Sequence, residues 1–176
     1  LRGVEDLPLF AFYVADSLGS MTPAKTLELF GYLKNTTRLE LGLHAHDNLG
    51  LALENSLTAA RHGARFLDGT VLGMGRGPGN KKSEELALAL ARRDDDKRLA
   101  VSLGDFAHSH FSRMKKDLGW GRNFVYFLAG QQGVHPTYVQ ELLSDSRYDF
   151  SGALEATFEL SRFAANKFDK SLLETV

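Results

Sequence analysis

Through the first half of the chain, short continuous apolar runs alternate with longer stretches whose apolar positions recur at helical spacing. Phe10-Ala11-Phe12-Tyr13-Val14-Ala15 is unbroken by charge, the pattern of a strand buried on both faces. Thr22-Pro23 then opens a helix, with threonine as N-cap and proline at the first helical position. Leu27, Phe30, Tyr32 and Leu33 supply its apolar face, and Asn35-Thr36-Thr37 ends it. A second strand covers Leu39 to Leu43, interrupted by Glu40. The next helix, over about 49–62, carries Leu49, Leu53, Leu57 and Ala60 at helical spacing and stops at Gly63. A third strand is expected from Arg65 to Val71, and Ser83-Glu84-Glu85 opens a further helix over 86–91.

Strand followed by helix, three times over, predicts an α/β fold with parallel strands joined by right-handed crossovers. The strands should lie adjacent in chain order, with helices on one face. Each leaves its polar residues at its C-terminal end: Asp16 and Ser17, then His44 and His46, then Asp68 and Thr70. Barrels and open α/β sheets alike place their active sites at that end. The charge run Arg92 to Arg98 reads as a solvated linker. Beyond it, residues 100–176 hold apolar residues at helical spacing, as in Phe106/Phe111/Met114 and Leu154/Phe158/Leu160/Phe163. Gly119-Trp120-Gly121 and His135-Pro136-Thr137 punctuate this helical stretch. The expected division is therefore 1–95 and 96–176.

Composition narrows the function classes. The 176 residues carry a formal net charge of −1, without a sustained basic stripe, so no nucleic-acid partner is expected. No apolar run is long enough for a membrane span, and no membrane partner is expected. The absence of cysteine excludes disulfides and thiolate metal sites and fits a cytoplasmic location. The chain opens on Leu1-Arg2-Gly3 without an initiator methionine, which raises the expectation of a piece from a longer protein.

The candidate chemistry centres on His44-Ala45-His46-Asp47-Asn48. Successive side chains of a strand alternate faces, so His44 and His46 project together. Two neutral imidazoles at a strand end can bind a divalent metal, though such a pair taken alone is more often ordinary polar strand-end residues. Asp47 reads as a helix-start residue. The glycines of Gly73-Met74-Gly75-Arg76-Gly77-Pro78-Gly79-Asn80 permit a tight loop that could suit phosphate, but Lys81-Lys82-Ser83 does not complete a P-loop. His108 and His110 sit two apart in a helical setting, do not share a face, and read as surface or core residues.

Tyr13-Val14-Ala15-Asp16-Ser17-Leu18-Gly19, the His-x-His segment and the glycine-rich loop together resemble, in order and spacing, the last three barrel strands of the metal-dependent aldolase and acyl-transfer superfamily. This is the hydroxymethylglutaryl-CoA lyase-like group, and the wording is closest to its 4-hydroxy-2-oxovalerate aldolases. The resemblance implies a partial TIM barrel followed by a helical C-terminal domain. It implies His44 and His46 as metal ligands, Asn80 as a third ligand or an organiser, and Asp16 in the active site. Ser17 would contact substrate, while Asp68 and Thr70 would either line the site or supply hydrogen bonds beneath it. A catalytic tyrosine of the helical domain would fall near Trp120 or Tyr126, and Tyr126 is the candidate; the alternative is an aromatic packed in a core. The implied cofactor is Mn²⁺ or Mg²⁺, with Zn²⁺ less favoured, acting as a Lewis acid on a small 2-oxo acid. The implied partners are a second copy, met through the helical domain, and an aldehyde dehydrogenase.

Two departures matter. The family's Arg-Asp-Gly motif, which supplies a further metal ligand and an arginine, does not occur here. Eight strand–helix units need upward of ~200 residues, and three precede the helical stretch. The alternatives are an acyl-CoA lyase or Claisen-condensing synthase of the same superfamily, or a non-catalytic assembly module. The lack of a cysteine in the glycine-rich loop argues against hydroxymethylglutaryl-CoA lyase itself.

Overall fold

The computed structural model describes residues 7–91, 97–163 and 165–176. Its sheet has three parallel strands, β1 (Ala11–Asp16), β2 (Glu40–Ala45) and β3 (Ala64–Leu67), in the order β1-β2-β3. The crossovers are α1 (Pro23–Thr36) and α2 (Ala52–Arg61), and α3 (Ser83–Leu90) follows the glycine-rich loop. Thr22 caps α1 through its side chain, accepting from Lys25 N–H, with Pro23 directly after it.

Alternation along β2 sorts the sheet into two faces. Leu41, Leu43 and Ala45 pack against Phe30 and Leu33 of α1 and Ala52 and Ala59 of α2, forming one apolar core. Gly42, His44 and His46 therefore project from the other face. There the Tyr13 ring lies across Gly42, where a Cβ would collide with it, and Phe66 stacks on Tyr13 at 6.1 Å.

Several expectations need correction. β1 is not buried on both faces: Phe10 is 75% and Tyr13 41% exposed, because α1 and α2 cover one face only. On α1, Leu27 and Tyr32 are exposed and Thr26 joins Phe30 and Leu33 inside. The buried face of α2 is Ala52, Asn55, Ser56, Thr58 and Ala59, small residues that let the helix lie close to the sheet, and not the leucine stripe. β3 stops at Leu67, four residues short, because the chain turns there to meet the returning loop, with Thr70 N–H donating to the Lys81 carbonyl at 3.0 Å. Of the expected linker, 92–96 lies outside the described residues, while Lys97 and Arg98 already belong to a helix.

That helix is α4 (Lys97–Leu118), followed by α5 (Phe124–Gln132), α6 (Pro136–Ser144), α7 (Phe150–Ser161) and α8 (Lys170–Leu173). Helices α5 to α7 enclose a second core around Val125, Tyr138, Val139, Leu142 and Leu160. Phe106, Met114, Phe158 and Phe163 remain exposed, as do His108 and His110. Among the described residues no helix is long and apolar enough to cross a membrane.

The two units meet at the glycine-rich loop. Leu72 sits in the left-handed region at φ 50°, a strained conformation for a leucine. Its N–H donates to the Glu84 carboxylate, and its carbonyl accepts from Trp120 Nε1–H at 3.0 Å. Gly121 N–H donates to the Gly77 carbonyl, and Asn48 Nδ2–H to the Tyr126 carbonyl.

The uncovered aromatic face has a solution consequence. Leaving a few hundred Å² of apolar surface wet forfeits several kcal/mol at ~25 cal/mol per Å². The 176-residue chain is expected to self-associate or to bind ANS strongly, as read by size-exclusion chromatography and dye fluorescence. A monodisperse monomer without an ANS signal would contradict this.

Candidate active site

β2 carries His44 and His46 to the C-terminal end of the sheet, their ring centroids 5.0 Å apart and nearly perpendicular. Each ring is oriented by a bond at Nδ1. His46 Nδ1–H donates to the Asp16 carbonyl at 2.8 Å. A carbonyl can only accept, so Nδ1 carries a proton, and in the neutral ring Nε2 keeps its lone pair. His44 Nδ1–H donates to Asp68 Oδ2 at 3.1 Å, which gives it the same tautomer. Both rings line a cavity of about 360 Å³.

Asn80 lines the same cavity. Its Nδ2–H donates to the Met74 carbonyl at 2.9 Å, and its Oδ1 is buried without a hydrogen-bond partner. An orphaned amide oxygen beside two imidazole lone pairs is a donor set that suits a divalent cation. Among the described residues no cluster of three His, Cys, Asp or Glu side chains is placed to hold a metal, so a charged ligand is missing from this set.

The other expected residues take varied places. Ser17 lines the cavity. Asp68 stands behind His44, bonded to it. The Asp16 carboxylate accepts from Ser20 N–H at 3.0 Å and Met21 N–H at 3.1 Å, and so braces the loop after β1. Burial raises its pKa, opposed by the N–H groups of Met21 and Ser20 and by His46. Thr70 is not brought to the cavity: its backbone ties the loop, and its Oγ1 is buried without a partner. Tyr126 is not there either. It lines a separate cavity of about 640 Å³ beyond Gly77, and burial pushes its phenol up to about 12. Gly77, at φ +60°, lets the loop pass so close to that ring that an added Cβ would lie 3.1 Å from it. Asp47 does serve the helix start, its Oδ1 accepting from Ala52 N–H.

The helical unit supplies the residues that sequence reasoning missed. His135, Thr137 and Gln140, at the start of α6, line the same cavity as the histidine pair, and Arg76 joins them from the loop. His135 Nδ1 accepts from Thr137 N–H at 3.3 Å, so its proton sits on Nε2, the reverse of His44 and His46. Burial, then Arg76 and His46, hold its pKa below the ordinary histidine value. The available signal was His135-Pro136-Thr137, a helix start with a titratable residue at the cap.

Sequence comparison bears on this arrangement. The pattern of the HMGL-like family matches residues 3–108, most of the chain. The chain belongs to the HMGL-like family. A 4-hydroxy-2-oxovalerate aldolase of Pelotomaculum thermopropionicum is 46% identical over 80 residues, 46% of this chain and 24% of that protein. A 4-hydroxy-2-oxovalerate aldolase of Rhodococcus jostii is 44% identical over 80 residues, 46% of this chain and 23% of that protein. The chain thus matches about a quarter of the length of these curated relatives. Among solved structures, the N-terminal domain of a candidate aldolase from Bacteroides vulgatus superposes with a TM-score of 0.74 at 31% identity, covering 89% of this chain and 50% of that one. The carboxyl transferase domain of Rhizobium etli pyruvate carboxylase shares the fold, with a TM-score of 0.65 at 18% identity over 93% of this chain and 29% of that one.

One buried group below the site gives a pH signature. Lys81 is 1% exposed, its Nζ lacks a hydrogen-bond partner, and burial lowers its pKa to about 8, against attraction from Asp68 and Glu84. Unfolded, the amine titrates near ~10.4. Between these values the unfolded chain binds more protons, so Lys81 makes stability rise with pH from about 8 upward. Above ~10 the raised Tyr126 pKa acts in the opposite sense. Melting wild type and Lys81→Met across this alkaline window should show the rise in wild type alone. Parallel pH profiles would refute it.

Proposed function

We propose that this chain carries the metal-binding end of a pyruvate-type aldolase, a C–C lyase acting on a 4-hydroxy-2-oxo acid. The observation that carries the reading is the shared tautomer of His44 and His46, each Nδ1–H engaged and each Nε2 lone pair free, beside the orphaned Asn80 Oδ1. Family membership and the names of the relatives support the lyase class.

In this reading Nε2 of His44 and His46 and Oδ1 of Asn80 hold a divalent ion, Mn²⁺ or Mg²⁺. Neutral imidazoles and an amide leave its charge undiminished. When bound, that ion polarises the keto oxygen of the 2-oxo acid and stabilises enolate charge as the C–C bond breaks. The chain's own groups do the orienting. Asp68 fixes the His44 ring, and the Asp16 carbonyl does the same for His46. The Asp16 carboxylate holds the 17–21 turn so that this carbonyl and Ser17 stay in place.

The uncovered sheet face supports reading 1–95 as part of a barrel whose inner surface bears Tyr13, Phe66 and the histidines. Residues 96–176 are then the helical domain. Exposed Val101, Phe106, Met114 and Leu118 on α4 support self-association through it.

Mn²⁺ binding, followed by electron paramagnetic resonance, tests the reading. Asp68→Asn keeps the ring in place but weakens its orientation, and should lower affinity about 10–100-fold. A His44→Ala/His46→Ala double variant should abolish specific binding. If the double variant bound Mn²⁺ like wild type, the metal assignment would be wrong.

A further inference from the structure

The cavity that holds the histidine pair is also lined by Arg76 and, on its α6 side, by His135, Thr137 and Gln140. No aspartate or glutamate is among its lining residues, and Arg76 is exposed and makes no ion pair among the described residues. The His135 tautomer leaves Nε2–H as a donor. The Thr137 hydroxyl and the Gln140 amide can also donate, and α6 directs the positive end of its dipole here. The cavity thus offers acceptors at the histidine pair and donors around a guanidinium.

We infer that the Arg76–His135 end is a subsite for an anionic group on the part of the substrate distal to its 2-oxo acid. The assignment of the histidine pair rests on the aldolase reading above, since the keto and carboxylate oxygens of the 2-oxo acid are then taken by the metal site. The remaining donors have no role in binding that part. They fit a carboxylate, which a guanidinium can take in bidentate fashion while an imidazole N–H takes a lone pair. The aldehyde released or accepted by the enzyme would accordingly carry an acid group. A neutral alkyl aldehyde offers no charge to the guanidinium, so it forgoes the charge-assisted bonds that a carboxylate gains there.

The test uses the full chain without metal, with succinate and its uncharged counterpart succinamide as probes and the His135 ring proton signals as readout. Succinate should shift the His135 signal saturably, with affinity about 10-fold above succinamide. Arg76→Gln should erase that preference, and Arg76→Lys should keep part of it. Equal binding of the two probes, or an unchanged preference in Arg76→Gln, would overturn the subsite. With Mg²⁺ added, pyruvate competing at this end as well as succinate would also overturn it, by assigning the donors to the 2-oxo acid's own carboxylate. Mn²⁺ broadening of the His44 and His46 signals is read separately. Its loss with the succinate preference intact would fell the aldolase reading and leave the anion site standing, and the converse would fell only the anion site.

Discussion

The hydrogen bonds at Nδ1 of three histidines decide what the end of this sheet can do. The Asp16 carbonyl and the Asp68 carboxylate each accept a hydrogen bond from Nδ1–H, so the neutral His46 and His44 rings present lone pairs at Nε2. The Thr137 N–H donates one, forcing His135 to present a proton. Three chemically identical side chains thereby become two acceptors and one donor around a single cavity. A cation suits the lone pairs of the first two, and an anion suits the donors beside the third. The lone-pair pair would bind little if its rings could rotate, so the residues behind it matter as much as the rings.

The cavity lies where two cores meet, at the glycine-rich loop and at the turn after β2. Leu72, held left-handed by Glu84 and Trp120, fixes where the glycine-rich segment leaves β3. Gly77 then allows that segment to cross the Tyr126 ring. Arg76 and Asn80, on either side of this crossing, reach the same cavity from which β2 projects its histidines. Loss of the Trp120 contact would free Leu72 from a conformation costing about 1–3 kcal/mol.

Much of this was legible in the sequence. Unbroken apolar runs and the Thr22-Pro23 helix start located the strands and α1, because those signals are local. His-x-His on a strand placed two rings together for the same reason. Burial was less legible: Leu53 and Leu57 look like a core stripe, yet α2 turns Ala52, Ser56 and Ala59 inward, since close packing on a sheet favours small side chains. Asp16 and Thr70 were identified by position at strand ends, but whether such a side chain faces the cavity or braces the backbone depends on bonds the sequence does not display. The largest miss, His135 with Arg76, joins residues far apart in the chain, and only the docking of α6 brings them together. Tyr126 was drawn toward the site by family resemblance, while its ring lies beyond Gly77 in another cavity.

The tautomers can be observed directly. In the ¹⁵N-histidine-labelled chain at pH 7.5, long-range ¹H–¹⁵N correlation spectra distinguish a protonated Nδ1 from a protonated Nε2. The account predicts His44 and His46 with Nδ1 protonated and Nε2 bare, and His135 with Nε2 protonated and Nδ1 bare. A protonated Nε2 on either His44 or His46, or a bare Nε2 on His135, would contradict it.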